Sequence, residues 1–213
     1  LTLFIDHVQG DPFAAPSSLR VRTPTGLDPA LLTNQSAYLA AEDWLLRRFG
    51  DELHGSRRGS GRSGELRRLR PGPEIIERSA LRINSEAWAE VRFQCGLPAK
   101  GRRILGRQAW ALLTEDIPLA CDSLAQVEGI AEHIRSMQLQ THLRNTLSEL
   151  GLIAFVADGS ILPRASGTSQ QPLANALPFT SPPGLGVSID SPYGPITGMG
   201  IPEGITLIVG GGF

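Results

Sequence analysis

The stretch that most constrains this chain is its last, Gly204-Ile205-Thr206-Leu207-Ile208-Val209-Gly210-Gly211-Gly212-Phe213. Ile205 to Val209 is a short apolar run rich in β-branched residues, with Pro202-Glu203-Gly204 before it and three glycines after it. Length and punctuation predict a fully buried strand rather than a helix. Glycines directly after such a strand suit a phosphate-binding loop. Lacking Cβ atoms, their backbone takes positive φ and brings N–H groups close to an anion. The P-loop pattern is Gly, four free positions, then Gly-Lys-Ser/Thr. Gly210, Gly211, Gly212 and Phe213 fill its first four places. A plain glycine-rich tail after an edge strand is the competing reading.

Composition narrows the class without naming a function. Twenty basic and 21 acidic residues give a net charge of −1, so the whole chain exerts no electrostatic pull on a polyanion or a membrane. Cys95 and Cys121 are too few for a disulfide framework and read as buried thiols. No apolar run reaches the ~18–20 residues that span a bilayer. The opening residues are interrupted by Asp6, His7 and Asp11, unlike a secretion signal. A cytoplasmic setting is the expectation.

Local charge is less even. Residues 57–70 carry Arg57, Arg58, Arg62, Arg67, Arg68 and Arg70 against one carboxylate, Glu65. Arginine forks bind phosphate bidentately, and the interspersed Gly and Ser let a loop approach a polyanion. This predicts a nucleic-acid backbone contact, for which a solvated basic loop is the alternative. No aromatic platform accompanies it, so base reading is not expected. Gly61-Arg62-Ser63 imitates the end of a P-loop, but Arg replaces Lys and no buried strand leads in. We reject it as a nucleotide loop. Arg102, Arg103 and Arg107 form a second basic cluster at an expected helix start, where the macrodipole disfavours cations. His133 and His142 have no ligand partners at matching spacing, so no metal site is expected.

Elsewhere, residues 1–9 and 19–22 read as strands, and Ser36–Phe49 as a helix with Glu42 and Asp43 away from its apolar face. Ala80–Asn84 and Ala87–Cys95 read as a strand pair, and a helical zone runs from about Lys100 to Leu150. In that zone Leu139, Leu143, Leu147 and Leu150 form a stripe and Gly151 a C-cap. Leu152–Gly159 is a strand ending in a turn at Asp158, a place where sheets put ligand contacts. A carboxylate capping a tight turn is the alternative.

Several segments together resemble the predicted ATPases of the ABC class: Asp6 to Ala14, Leu97 to Gly106, Phe155 to Arg164 with Ser166-Gly167, Pro178 to Pro182, and Gly194 to Phe213. The resemblance implies an α+β chain, with an N-terminal mixed α/β domain followed by the first β-strands of an ABC-type P-loop ATPase domain. We place these at 1–165 and 184–213, with a linker over 166–183. The resemblance also implies ATP and Mg2+ binding in a longer parent, with this chain cut inside the nucleotide loop and itself holding neither. Homodimerisation around nucleotide is implied for the parent. Asp158 and Arg164 are expected at an interface with the nucleotide domain. RNA or single-stranded nucleic acid is the expected partner of the arginines, and no membrane partner is expected.

Overall fold

Alternation along two strands sets the first layer of the structure. In β2 (Ser17–Pro24) the buried residues are Ser17, Leu19, Val21 and Thr23; in β5 (Trp88–Cys95) they are Ala89, Val91, Phe93 and Cys95. A period of two puts each set on one face of a pleated strand. β2 and β5 pair antiparallel from Ser17 opposite Cys95 to Pro24 opposite Trp88. β1 (Thr2–His7) adds outside β2, while β3 (Leu66–Arg67) and β4 (Leu81–Ile83) pair with the other edge of β5. The computed structural model describes residues 1–55, 59–207 and 209.

The buried face of this five-stranded sheet is covered by α1 (Gln35–Glu52). Asn34 caps α1 by accepting from the Ala37 amide at 3.0 Å. Ala37, Ala40, Ala41, Leu45, Leu46 and Phe49 form its buried stripe, and the Phe49 ring meets Phe93 of β5 at a centroid distance of 5.5 Å. The opposite sheet face carries a charged ladder. Arg20 bridges Asp6 and Glu90 at 3.0 and 3.1 Å and lies 4.4 Å from the Phe4 ring centre.

Glu42 and Asp43, expected on the solvent side of α1, are both buried. The helix is covered on more than its apolar stripe, and each acid has partners that justify burial. Glu42 accepts from the Ile83 amide at 3.1 Å, satisfying an edge N–H of β4. Asp43 accepts from Arg47 at 2.7 Å and Arg78 at 3.2 Å, with His133 Nε2 at 3.3 Å. Burial dominates at Glu42 and pushes its pKa up. Burial opposes charge at Asp43 as well, but His133 and Arg47 outweigh it and hold the carboxyl below its usual range.

The two neighbours therefore respond to pH with opposite sign. Asp43 contributes stability that is present above an unfolded carboxylate pKa of about 4 and lost as pH falls through its lower folded value. Glu42 contributes most below about pH 4, and that contribution is lost as pH rises through its raised folded value. We expect Asp43→Asn to cost about 2 kcal/mol at pH 7, discounted for its partly exposed partners, and less below pH ~4. Glu42→Gln should cost under ~1 kcal/mol at pH 7. Urea unfolding at the two pH values reads both. A constant Asp43→Asn penalty would contradict the assignment.

The helical zone begins later than expected. Lys100 to Arg103 belong to a hairpin, β6 (Ala99–Lys100) and β7 (Arg103–Ile104), turned at Gly101. α2 (Gly106–Ala111) then runs into a π-helical turn, Leu112–Asp116, and α3 (Ile117–Cys121). Pro118 sits in the first turn of α3, where its missing N–H is tolerated. In α4 (Ile130–Thr146) the buried residues are Ile130, Ile134 and Met137. The leucine stripe is not the buried face: Leu139, Leu143 and Leu147 are half-buried and Leu150 is exposed. Gly151 does close this region, at φ 64°.

The chain divides into two compact units, Leu1–Met137 and Gln138–Phe213. In the second, β8 (Leu152–Ala157) and β9 (Gly186–Ile189) flank β10 (Ile196–Pro202), all antiparallel. The 166–183 segment lies within this unit, where the Phe179 backbone exchanges hydrogen bonds with Gly159 and Ser160.

The buried strand expected over 205–209 is not seen in the described residues. Ile205–Leu207 have no strand partner there, and Ile205, Leu207 and Val209 are 105%, 83% and 80% exposed. An apolar run becomes a buried strand only between neighbouring strands, and none of the described strands adjoins this one.

Candidate functional site

Three of the sequence segments singled out above converge in the first unit. The hub is Gln9, 4% exposed in a loop. Its side chain donates to the Ala14 carbonyl at 3.2 Å and accepts from the Leu97 amide at 3.0 Å. Its own amide donates to Ser17 Oγ at 2.9 Å. Asp11 caps the same loop by accepting from the Phe13 and Ala14 amides. The segment from Asp6 to Ala14 thus acts as a clamp: Asp6 joins the charged ladder, and Gln9 ties the loop to Leu97.

The false P-loop segment is spent on similar architecture. The Arg62 amide donates to the Pro12 carbonyl at 2.8 Å, and Ser63 Oγ accepts from the Ala99 amide at 2.8 Å. Gly61 has φ +62°, and a Cβ there would lie 2.2 Å from the Pro12 oxygen. Its glycine serves a close backbone approach inside the protein rather than a bound phosphate. Gly64 donates to the Gly96 carbonyl and Gly96 to that of Glu65, at 2.9 and 2.7 Å. The loop and the β6–β7 hairpin are zipped together.

Ion pairing sorts the basic residues into two groups. Arg20, Arg22, Arg47, Arg62, Arg67, Arg78, Arg82 and Arg92 each pair with a carboxylate. In the arginine-rich stretch, buried Glu65 takes both Arg62, at 3.8 Å, and Arg67, at 2.6 Å. Those two are fastened to the loop. Arg68 and Arg70 pair with no described carboxylate, and Arg68 Nε is buried with no partner. Lys100, Arg102, Arg103 and Arg107 are exposed and likewise have no partner among the described residues. Only Arg107 stands at a helix start; Arg102 and Arg103 occupy the hairpin, because α2 begins at Gly106. Arg57 and Arg58 lie outside the described residues.

A cleft of about 520 Å³ opens between the loop and the hairpin, lined by His54, Ser63, Lys100, Gln108 and Asp116 among others. Lys100 and His54 did not figure among the sequence-based candidates. The signal that could have found Lys100 was its place within the Leu97–Gly106 segment. A larger hollow, about 580 Å³, lies on the charged sheet face, where Arg22 and Glu90 are already paired to each other.

In the second unit, Asp158 Oδ1 accepts from the Ser181 amide and hydroxyl, both at 2.7 Å, and these bonds hold its carboxyl below the usual range. Arg164 is exposed and bridges to Pro172 through backbone pairing. His142 Nε2 lies 2.8 Å from the Asp190 carbonyl. Both cysteines are buried, and burial pushes each thiol up to about 12. Among the described residues, no group of three or more His, Cys, Asp or Glu could hold a metal, and no helix is long and apolar enough to cross a membrane. Gly210, Gly211, Gly212 and Phe213, the expected opening of the nucleotide loop, lie outside the described residues.

Comparison with known protein families places both parts of the chain. No curated protein matches it. A family model described as the N-terminal domain of ATPases of the ABC class matches residues 1–126. A model for the P-loop domain of the ABC ATPases matches residues 126–213. The first covers more than half of the sequence and includes the Gln9 clamp, the zipped glycine loop and the basic hairpin. An α+β chain that joins this N-terminal domain to a P-loop domain belongs to the family of ABC-class ATPases.

Proposed function

We propose that the protein hydrolyses ATP with Mg2+ at the P-loop that Gly210, Gly211 and Gly212 open, and couples that work to a single-stranded nucleic acid held on its N-terminal domain. The P-loop family match supports the first half. One observation carries the second: the hairpin and the α2 start present Arg102, Arg103 and Arg107 exposed and without ion-pair partners among the described residues, while eight other arginines of the first unit are paired to carboxylates. Exposed arginines not neutralised by the described residues remain available to phosphates. The ion-paired Arg62 and Arg67 belong to the scaffold in this account. The protein works in the cytoplasm as a dimer that closes around nucleotide, with Asp158 and Arg164 near the closing surface.

Steady-state ATP turnover of the protein carrying a complete Gly-Lys-Ser/Thr loop tests the reading. Turnover that requires Mg2+ and rises when unstructured RNA is added is the expected result, with ATP-dependent dimerisation in sedimentation. Arg164→Ala should lower turnover while leaving thermal unfolding unchanged, and Asp158→Ala should lower turnover in protein that still folds, with a small loss of stability from its two Ser181 bonds. Turnover indifferent to RNA would remove the coupling, and absence of turnover would remove the enzymatic reading.

A further inference from the structure

We propose that three adjoining clefts of the first unit form one groove that seats the phosphate backbone of a single-stranded nucleic acid, with Arg68, Arg70 and Lys100 as its phosphate contacts. The inference rests on the nucleic-acid reading above and adds a path to it.

Continuity comes from shared walls. A cleft of about 400 Å³ is lined by Arg47, Arg68 and Arg70, and the next, about 440 Å³, by Arg68, Arg70 and His54. His54 also lines the 520 Å³ cleft in which Lys100 stands. The cations follow one another along the groove instead of crowding a single point. That arrangement fits a linear polyanion better than a compact phosphate.

Chemistry supports the same occupant. Arg68 Nε is a buried donor without an acceptor, a costly state that an incoming phosphate oxygen would relieve. Burial and the neighbouring charge of Arg70 depress the Arg68 guanidinium more than nearby Asp51 raises it, so an anion between the two arginines would be welcome to each. Glu65, which also lines the groove, is taken up by Arg62 and Arg67. Asp51 and Asp116 are the other carboxylates lining it, in the first and last clefts. An acidic peptide could meet the same cations. The arginine forks, and the absence of Phe, Tyr and Trp from the described residues of all three walls, favour a phosphate backbone read without its bases.

The test uses the whole protein and a fluorescein-labelled, unstructured RNA of about 12 nucleotides. Arg70→Ala and Lys100→Ala should each weaken binding and flatten the slope of log affinity against log salt by about 0.7, and the double variant by about 1.4. Arg68→Lys, which keeps the charge but not the fork, should weaken binding with little change in slope. RNA bound with unchanged slope in both single variants overturns the groove and leaves the nucleic-acid reading intact. No RNA binding at low salt overturns both. Displacement of the RNA by polyglutamate of equal charge as readily as by unlabelled RNA overturns the choice of a phosphate backbone.

Discussion

Phe49→Ala is expected to destabilise the first unit by about 3–5 kcal/mol, the usual range for emptying a phenylalanine site in a core. Phe49 is fully buried, and its ring stacks obliquely on Phe93. It fastens the C-terminal half of α1 to β5, the strand that pairs with three others. Removing it opens a cavity between helix and sheet that neither rigid element can fill. Trp44, Trp88 and Trp110 all lie in the first unit, so tryptophan fluorescence during urea unfolding follows that unit alone. A loss under ~1 kcal/mol would contradict the placement of the core.

Gly96→Ala is the second large effect, with an expected loss of about 2–3 kcal/mol. A Cβ at Gly96 would lie 1.9 Å from the Arg62 carbonyl oxygen, which is backbone and cannot rotate aside. Relief requires separating the two segments, which breaks the hydrogen bonds between Gly96 and both Gly64 and Glu65. Gly106→Ala is the matched control. Nothing lies within 4 Å of its Cβ position, and it opens α2, where alanine favours the helix by about 0.5–1 kcal/mol. Equal effects of the two substitutions in the same unfolding assay would contradict the zipped loop.

What could be read in advance followed from periodicity. The β5 alternation and the β2 run were legible because a period of two is a local property. The same holds for the apolar spacing of α1, though its Asn34 cap was not read from the sequence. Burial of Glu42 and Asp43 was not legible, because it depends on partners as distant in sequence as Ile83, Arg78 and His133. β10 has little local signature for another reason. Gly198 and Gly200 interrupt its apolar pattern, and they are glycines because Cβ atoms there would lie 2.4 Å from the Val156 oxygen and 3.0 Å from Leu152.

The site was half legible. Counting charges in residues 57–70 treated every arginine as available, since one carboxylate against six looks like excess. Buried Glu65 takes two of them, a fact of tertiary structure. The hairpin arginines looked like a mismatched helix start, because nothing local announced a turn at Gly101 ahead of α2. The segments that carry the family resemblance proved more informative about architecture than about chemistry. Gln9 and Ser63 hold backbone amides from distant loops, and that is a role no spacing rule reports.

The most direct measurement of the central claim is the salt dependence of RNA affinity for Arg102→Ala/Arg103→Ala/Arg107→Ala in the whole protein. These residues are exposed and unpaired among the described residues, so the triple variant should fold with unchanged thermal stability. If they contact the backbone, the slope of log affinity against log salt should flatten by about 2, at about 0.7 per phosphate of a single strand. A wild-type slope in the folded triple variant would contradict the account.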